Sequence, residues 1–122
     1  MKKILVVEDE SCISSLLRML IKVEIKGCLV LEARNGAAAL ELFRREDPDV
    51  VLLDIHLDDM NGKDVKKEML RLDDNVRVIL MSADSPEAKK EQGIAPFLQK
   101  PFRDLNEVAA LIKDNLELSG SA

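Results

Sequence analysis

Tryptophan and tyrosine are absent from this chain, and its only aromatic side chains are Phe43, Phe97 and Phe102. Stacking on bases or sugar rings is therefore poorly provided for. No basic stripe stands out either: 18 Lys and Arg stand against 23 Asp and Glu, for a net charge of −5. That balance argues against direct nucleic-acid binding, which needs clustered cations to neutralise phosphates. Lys63, Lys66 and Lys67, and again Lys89 and Lys90, sit among acids and read as solvated helix faces. Cys12 and Cys28 have no metal-type spacing. They read as small apolar residues, reduced in a cytosol, and not as a staple. No apolar run approaches a membrane span, and the start Met1-Lys2-Lys3 leads into too short a run for a signal-peptide core. A soluble cytoplasmic protein with no membrane contact is expected.

The chain has 122 residues, 47% hydrophobic and 34% charged, which suits one domain with a core of its own. Apolar runs and helical stripes alternate. Strands are expected over 3–7, 28–33, 49–53, 76–81 and 97–99. The first helix, 11–26, carries Ile13, Leu16, Leu17, Leu20 and Ile21, with Gly27 as terminator. Asn35-Gly36 is a turn signal before a helix marked by Ala39, Leu40 and Phe43, which stops ahead of Pro48. Asn61-Gly62 punctuates a loop before a third helix, 63–72, with Val65, Met69 and Leu72 on one face. Ser85-Pro86 opens a fourth that Gly93 ends. Asp104 and Glu107 have capping-box spacing for a fifth, which shows Leu105, Val108, Ala109, Ile112 and Leu116 at helical intervals. Residues 1–118 are expected to form the domain and 119–122 a flexible tail. Five strands alternating with five helices imply an α/β fold, a doubly wound five-stranded parallel sheet with right-handed crossovers.

Strand order cannot be read from periodicity, but the strand ends share a chemistry. Ile4–Val7 runs into Glu8-Asp9, Val50–Leu53 into Asp54, Val78–Met81 into Ser82, and Phe97–Gln99 into Lys100-Pro101. Ligands of open α/β sheets bind beyond the carboxyl ends of strands, at a switch point in strand order. A switch point between the first and third strands places Glu8-Asp9 beside Asp54. Carboxylates brought together repel one another, and a divalent cation resolves the conflict. Mg²⁺ favours oxygen ligands and takes one or two carboxylates plus phosphate oxygens. Glu8 and Asp9 could hold it with Asp54, whose free oxygen is then a candidate nucleophile for a phosphoryl group. Lys100 and Ser82 could share the charge on the transferring oxygens.

These stretches resemble the receiver domain of two-component response regulators over essentially the whole chain. The matching segments are Lys3–Glu10, Asp49–Asp54, Met60-Asn61-Gly62, Met81-Ser82-Ala83 and Phe97–Phe102. The resemblance implies a flavodoxin-like fold with strand order 2-1-3-4-5. It makes Asp54 the acceptor for a phosphoryl group from a sensor histidine kinase or phosphotransfer protein. Glu8, Asp9, Asp54 and the main-chain carbonyl of His56 become the Mg²⁺ ligands, and Lys100-Pro101 a cis peptide. Ser82 and Phe97 match the family's switch pair, which remodels the face of the fourth helix, fifth strand and fifth helix for a downstream protein or effector domain. The resemblance implies a signalling protein with weak autodephosphorylation, not a conventional enzyme. A monomer or a phosphorylation-dependent dimer is expected, and the native-looking start and short tail lead to the expectation of a stand-alone receiver.

The chain departs from the family in three places. Asp58, followed by Asp59, stands where the family usually has proline, so the loop is expected to be more acidic and less constrained. His56 lies two residues after Asp54, at a position that in the family it resembles tunes phosphoryl lifetime. Ser82 and Lys100 stand 18 positions apart, about four fewer than usual, which shortens the expected fourth helix, roughly 86–92, by about one turn. Two alternatives remain open: a degenerate receiver used as a docking module, and a Mg²⁺-dependent aspartyl-phosphate hydrolase. The hydrolase type wants a second Asp two residues after the first, where this chain has His56. A flavin carrier on the same fold fits poorly, because Glu8-Asp9-Glu10 repels a flavin phosphate.

Overall fold

Along a strand, successive side chains leave on opposite sides, so a strand buried on both faces must be apolar throughout. In the computed structural model, which describes residues 1–83 and 96–119, the middles of the three central strands, 4–7, 50–53 and 78–81, obey this rule. The described elements are β1 (Lys2–Val7), α1 (Ser11–Glu24), β2 (Cys28–Ala33), α2 (Gly36–Glu46), β3 (Val50–Asp54), α3 (Gly62–Leu72), β4 (Arg77–Ala83), β5 (Phe97–Lys100) and α4 (Leu105–Leu118). The expected helix over 86–92 and residues 120–122 lie outside the described residues. All neighbouring strands pair in parallel, in the order β2-β1-β3-β4-β5. This is the flavodoxin-like order that the family resemblance implied.

The alternation builds two cores. Leu5, Val7, Val51, Leu53, Val78 and Leu80 pack with Ala39, Leu40 and Phe43 of α2 and Val65 and Met69 of α3. Ile4, Val6, Val50, Leu52, Ile79 and Met81 pack with Leu17 and Ile21 of α1 and Val108, Ile112 and Leu116 of α4. Helices thus cover both faces, as right-handed crossovers of parallel strands require. The register Val7↔Leu53 and Asp54↔Met81 brings the ends of β1, β3 and β4 level.

The helical stripes were drawn too wide. Leu16, Leu72 and Leu105 are 39%, 40% and 38% exposed, at the margins of otherwise buried faces. The first helix stops at Glu24 with Ile25 as C-cap, and Gly27, at φ +76°, serves the turn into β2 instead. Asn35 and Asn61 act as N-caps, their side chains accepting the Ala38 and Lys63 N–H groups. Asp104 caps α4 through the Asn106 N–H. Cys12 is exposed and Cys28 half-buried, and both thiols are free. Cys12 is therefore not a core residue. Ser119 does not fray: it is buried, its hydroxyl donates to the Leu116 carbonyl, and Lys2 Nζ donates to its carbonyl at 2.8 Å. Among the described residues, no helix is long and apolar enough to cross a membrane.

Candidate functional site

The alternation that builds the cores also aims the polar strand ends. Ile4, Val6, Val50, Leu52 and Leu98 face α1 and α4. Continuing the same parity puts Glu8, Asp54 and Lys100 on that side of the sheet. The Glu8 N–H donates to the Ala33 carbonyl at 3.0 Å, extending the β1–β2 ladder one residue and holding Glu8 at the edge. Asp54 ends β3, where the Ile55 N–H donates to the Met81 carbonyl at 2.9 Å.

Lys100 joins the two acids. Its ammonium donates to Asp54 Oδ2 at 2.9 Å and to Glu8 Oε2 at 3.1 Å and Oε1 at 3.3 Å. The other oxygen of Asp54 accepts the His56 N–H at 3.0 Å, and Glu8 Oε1 accepts the Glu10 N–H at 3.3 Å. Side chains here are almost wholly withdrawn from water: Glu8 is 0%, Asp54 4% and Lys100 12% exposed. One cation thus faces two buried carboxylates, and the surplus negative charge shows in Glu8. Burial, and then the charge of Asp54, raise its pKa to about 7 against the opposing pull of Lys100. Burial alone lowers the pKa of Lys100, but its hydrogen bonds and charge contacts with Asp54 and Glu8 outweigh that and raise it.

A cavity of about 350 Å³ opens above this cluster, lined by Asp9, Glu10, Ile13, Asp54, His56, Ala83, Lys100 and Pro101. Carboxylate oxygens of Glu8, Asp9 and Glu10 lie within 4.8 Å of one another. An all-oxygen, anionic donor set of this kind suits a hard divalent cation such as Mg²⁺. Glu10, which follows Glu8-Asp9 directly, adds a carboxylate to the ligands that the family resemblance implies. The Lys100-Pro101 peptide is cis.

Ser82 and Phe97 take the opposite parity. Ser82 lies inside β4, one residue past the expected end of that strand; it is fully buried, and its hydroxyl donates to the Ala83 carbonyl at 3.1 Å instead of to Asp54. Phe97 is half-buried against the core under α2 and α3. Ser82 and Phe97 therefore share one face of the sheet, and Glu8, Asp54 and Lys100 share the other.

The loop after β3 is not loose, contrary to the expectation from Asp58-Asp59. The Gly62 N–H donates to the Ile55 carbonyl at 2.7 Å, and His56 bridges Asn61 across the loop. Asp59 reaches α2, its two carboxylate oxygens accepting the Gly36 and Ala37 N–H groups at 2.8 and 2.9 Å. Those backbone donors hold the Asp59 carboxyl below its usual pKa. Gly62 is required by space: a Cβ there would lie 2.3 Å from the carbonyl oxygen of Asp54.

Fold and site together define a class, a small doubly wound α/β domain whose strand-end acids are gathered around one half-buried lysine. A family model described as the response regulator receiver domain matches residues 4–113, and the chain belongs to that family, the phosphoacceptor switches of two-component systems. It is 36% identical to the sporulation initiation phosphotransferase F of Bacillus subtilis, covering 98% of each chain. It is 34% identical to the chemotaxis protein CheY of Thermotoga maritima, over 92% of this chain and 96% of that one. A response regulator receiver domain protein from Clostridium thermocellum superposes with a TM-score of 0.83 at 24% identity, over 96% of this chain and 95% of that one.

Proposed function

We propose that Asp54 accepts a phosphoryl group from a phosphohistidine on a sensor kinase or phosphotransfer protein in the cytosol, and that the modified chain changes its binding to a downstream protein. The observation that carries this reading is Lys100, held at 2.9 Å from Asp54 Oδ2 beneath an open cavity. An Asp54 oxygen attacks phosphorus, the bond from phosphorus to the donor nitrogen breaks, and the imidazole leaves with the electron pair. Lys100 loses little by turning one N–H toward a phosphoryl oxygen, since ammonium donors rotate freely and Glu8 keeps the others occupied. The His56 N–H steadies the second Asp54 oxygen. Mg²⁺, held by Glu8, Asp9, Asp54 and the His56 carbonyl, would neutralise the charge on the phosphoryl oxygens. Phosphorylation would draw the Ser82 hydroxyl away from the Ala83 carbonyl it now bonds and past the end of the sheet toward Asp54, and Phe97, on the face of Ser82, would follow. The output surface is then the one built around β5 and α4.

The hydrolase alternative gains no support from the site, because the position where that type needs a second Asp holds His56, whose side chain is exposed. The test of the receiver reading is intact mass after incubation with Mg²⁺ and acetyl phosphate. One phosphoryl adduct is expected, absent from Asp54→Asn and absent after chelation. A folded wild-type chain with no adduct would support the docking-module reading instead.

Glu8 gives this chemistry a pH dependence. Its folded pKa, about 7, lies above the unfolded 4.5. The proton on Glu8 therefore contributes stability that is fully present below pH 4.5 and is lost as pH rises through about 7. A metal ion needs the ionised form, so its binding expels that proton. The apparent Mg²⁺ affinity is expected to fall about tenfold for each pH unit below about 7 and to level off above it. Calorimetric titrations with Mg²⁺ at pH 6, 7 and 8 in buffers of different ionisation enthalpy would count the proton directly; a flat profile would remove Glu8 from the site.

A further inference from the structure

The loop from Asp54 to Gly62 is closed at its base by its own backbone, through the Gly62 N–H to Ile55 and the His56–Asn61 bridge. Its tip touches α2 at two points. Asp59 accepts the Gly36 and Ala37 N–H groups, and Met60 packs so closely on Gly36 that a Cβ there would meet its sulfur at 2.7 Å. The first of these is unusual in kind, because α2 already has its own cap: Asn35 Oδ1 accepts the Ala38 N–H at 2.8 Å. The first turn of a helix offers several free N–H donors, and here the loop takes two that the local cap leaves over.

We propose that Asp59 is a positioning residue for the phosphoacceptor site, anchoring the β3–α3 loop to α2 in place of the rigidity a proline at position 58 supplies. The chemical consequence rests on the reading of Asp54 and the His56 carbonyl given above. The structural consequence does not. Asp59 touches no reacting atom. It fixes the loop whose start sets the Asp54 carboxylate, through the His56 N–H, and the carbonyl of the same residue. It also ties α2 to any movement of that loop.

The test compares Asp59→Ala with Asn35→Ala. Both remove bonds from the N-terminus of α2, but only the first frees the loop. Amide hydrogen exchange across 55–61 is expected to accelerate in Asp59→Ala and to stay unchanged in Asn35→Ala. The Mg²⁺ concentration giving half-maximal adduct formation from acetyl phosphate is expected to rise about tenfold in Asp59→Ala alone, the scale seen when groups supporting metal ligands are removed. Asp59→Asn keeps one acceptor oxygen and is expected to fall between; it stands in if the alanine variant does not fold. The proposal is overturned if loop exchange in the Asp59 variants matches wild type, or if Asn35→Ala reproduces their change. If the wild-type chain takes up no phosphoryl group, the functional reading fails, and the exchange comparison decides the anchoring on its own.

Discussion

Lys100→Met is expected to cost the metal-free protein about 3 kcal/mol near pH 8 and to slow phosphoryl uptake about a hundredfold. Both effects follow from one geometry. Among the described residues, the ammonium is the single cation paired with both Glu8 and Asp54, whose side chains are 0% and 4% exposed. Removing it leaves two uncompensated carboxylates in a poor solvent for charge. Glu8, already raised to about 7 with Lys100 in place, is pushed higher without it. The variant's deficit should therefore shrink as pH falls toward 5, because the folded chain then gains a proton that the unfolded chain does not hold. Saturating Mg²⁺ should also restore much of the stability, since it supplies positive charge to the same acids. It should not restore the rate, because a phosphoryl oxygen still lacks the lysine donor. Urea unfolding followed by far-ultraviolet circular dichroism is the appropriate readout, as the chain has no Trp and no Tyr for fluorescence. A variant whose stability deficit does not change with pH would show that the three groups do not share charge as drawn.

The strand ends were legible because each buried strand is an unbroken apolar run, and the first polar residue after it marks where burial stops. Glu8, Asp54 and Lys100 meet as that pattern required. β2 was located to the residue at Cys28–Ala33, and the other strands to within one or two. Strand order was not legible from periodicity, because pairing is a relation between segments far apart; it came from the resemblance to receivers. The errors have the same origin. Ser119 is buried through Lys2, 117 positions away, so nothing near the C-terminus announces it. Asp59 was read as loosening its loop, because its partners, Gly36 and Ala37, lie more than 20 positions upstream. Leu16, Leu72 and Leu105 belong to apolar stripes by spacing, but a stripe is wider than the strip of helix that the sheet covers. The parity that separates Ser82 and Phe97 from Asp54 could have been counted from the sequence once β4 and β5 were placed.

Gly62→Ala is expected to be the most damaging single-atom addition around the site, costing about 3 kcal/mol and lowering adduct yield even in the folded fraction. In a helix, alanine is ordinarily preferred to glycine by up to about 1 kcal/mol, so propensity alone predicts the opposite sign. Space decides against it. The new methyl group would lie 2.3 Å from the Asp54 carbonyl oxygen and 2.7 Å from Ile55 Cα. Both are backbone atoms of the strand end that carries Asp54, and Ile55 is itself held by the Met81 carbonyl. Neither can swing aside, so α3 has to lift, breaking the 2.7 Å bond from the Gly62 N–H to Ile55 and opening the base of the loop. Gly36→Ala is the matched control, at the same first position of a helix. Its methyl group meets only side-chain atoms of Met60, the sulfur at 2.7 Å and Cβ and Cγ at 3.0 Å, which a rotation of that side chain with a small shift of its base relieves. A loss of about 1 kcal/mol is expected there, with a smaller drop in adduct yield than in Gly62→Ala. Equal losses in the two variants would mean that the backbone of β3 yields as readily as a methionine side chain, and the close approach of α3 to Asp54 would then have no role in holding the acceptor.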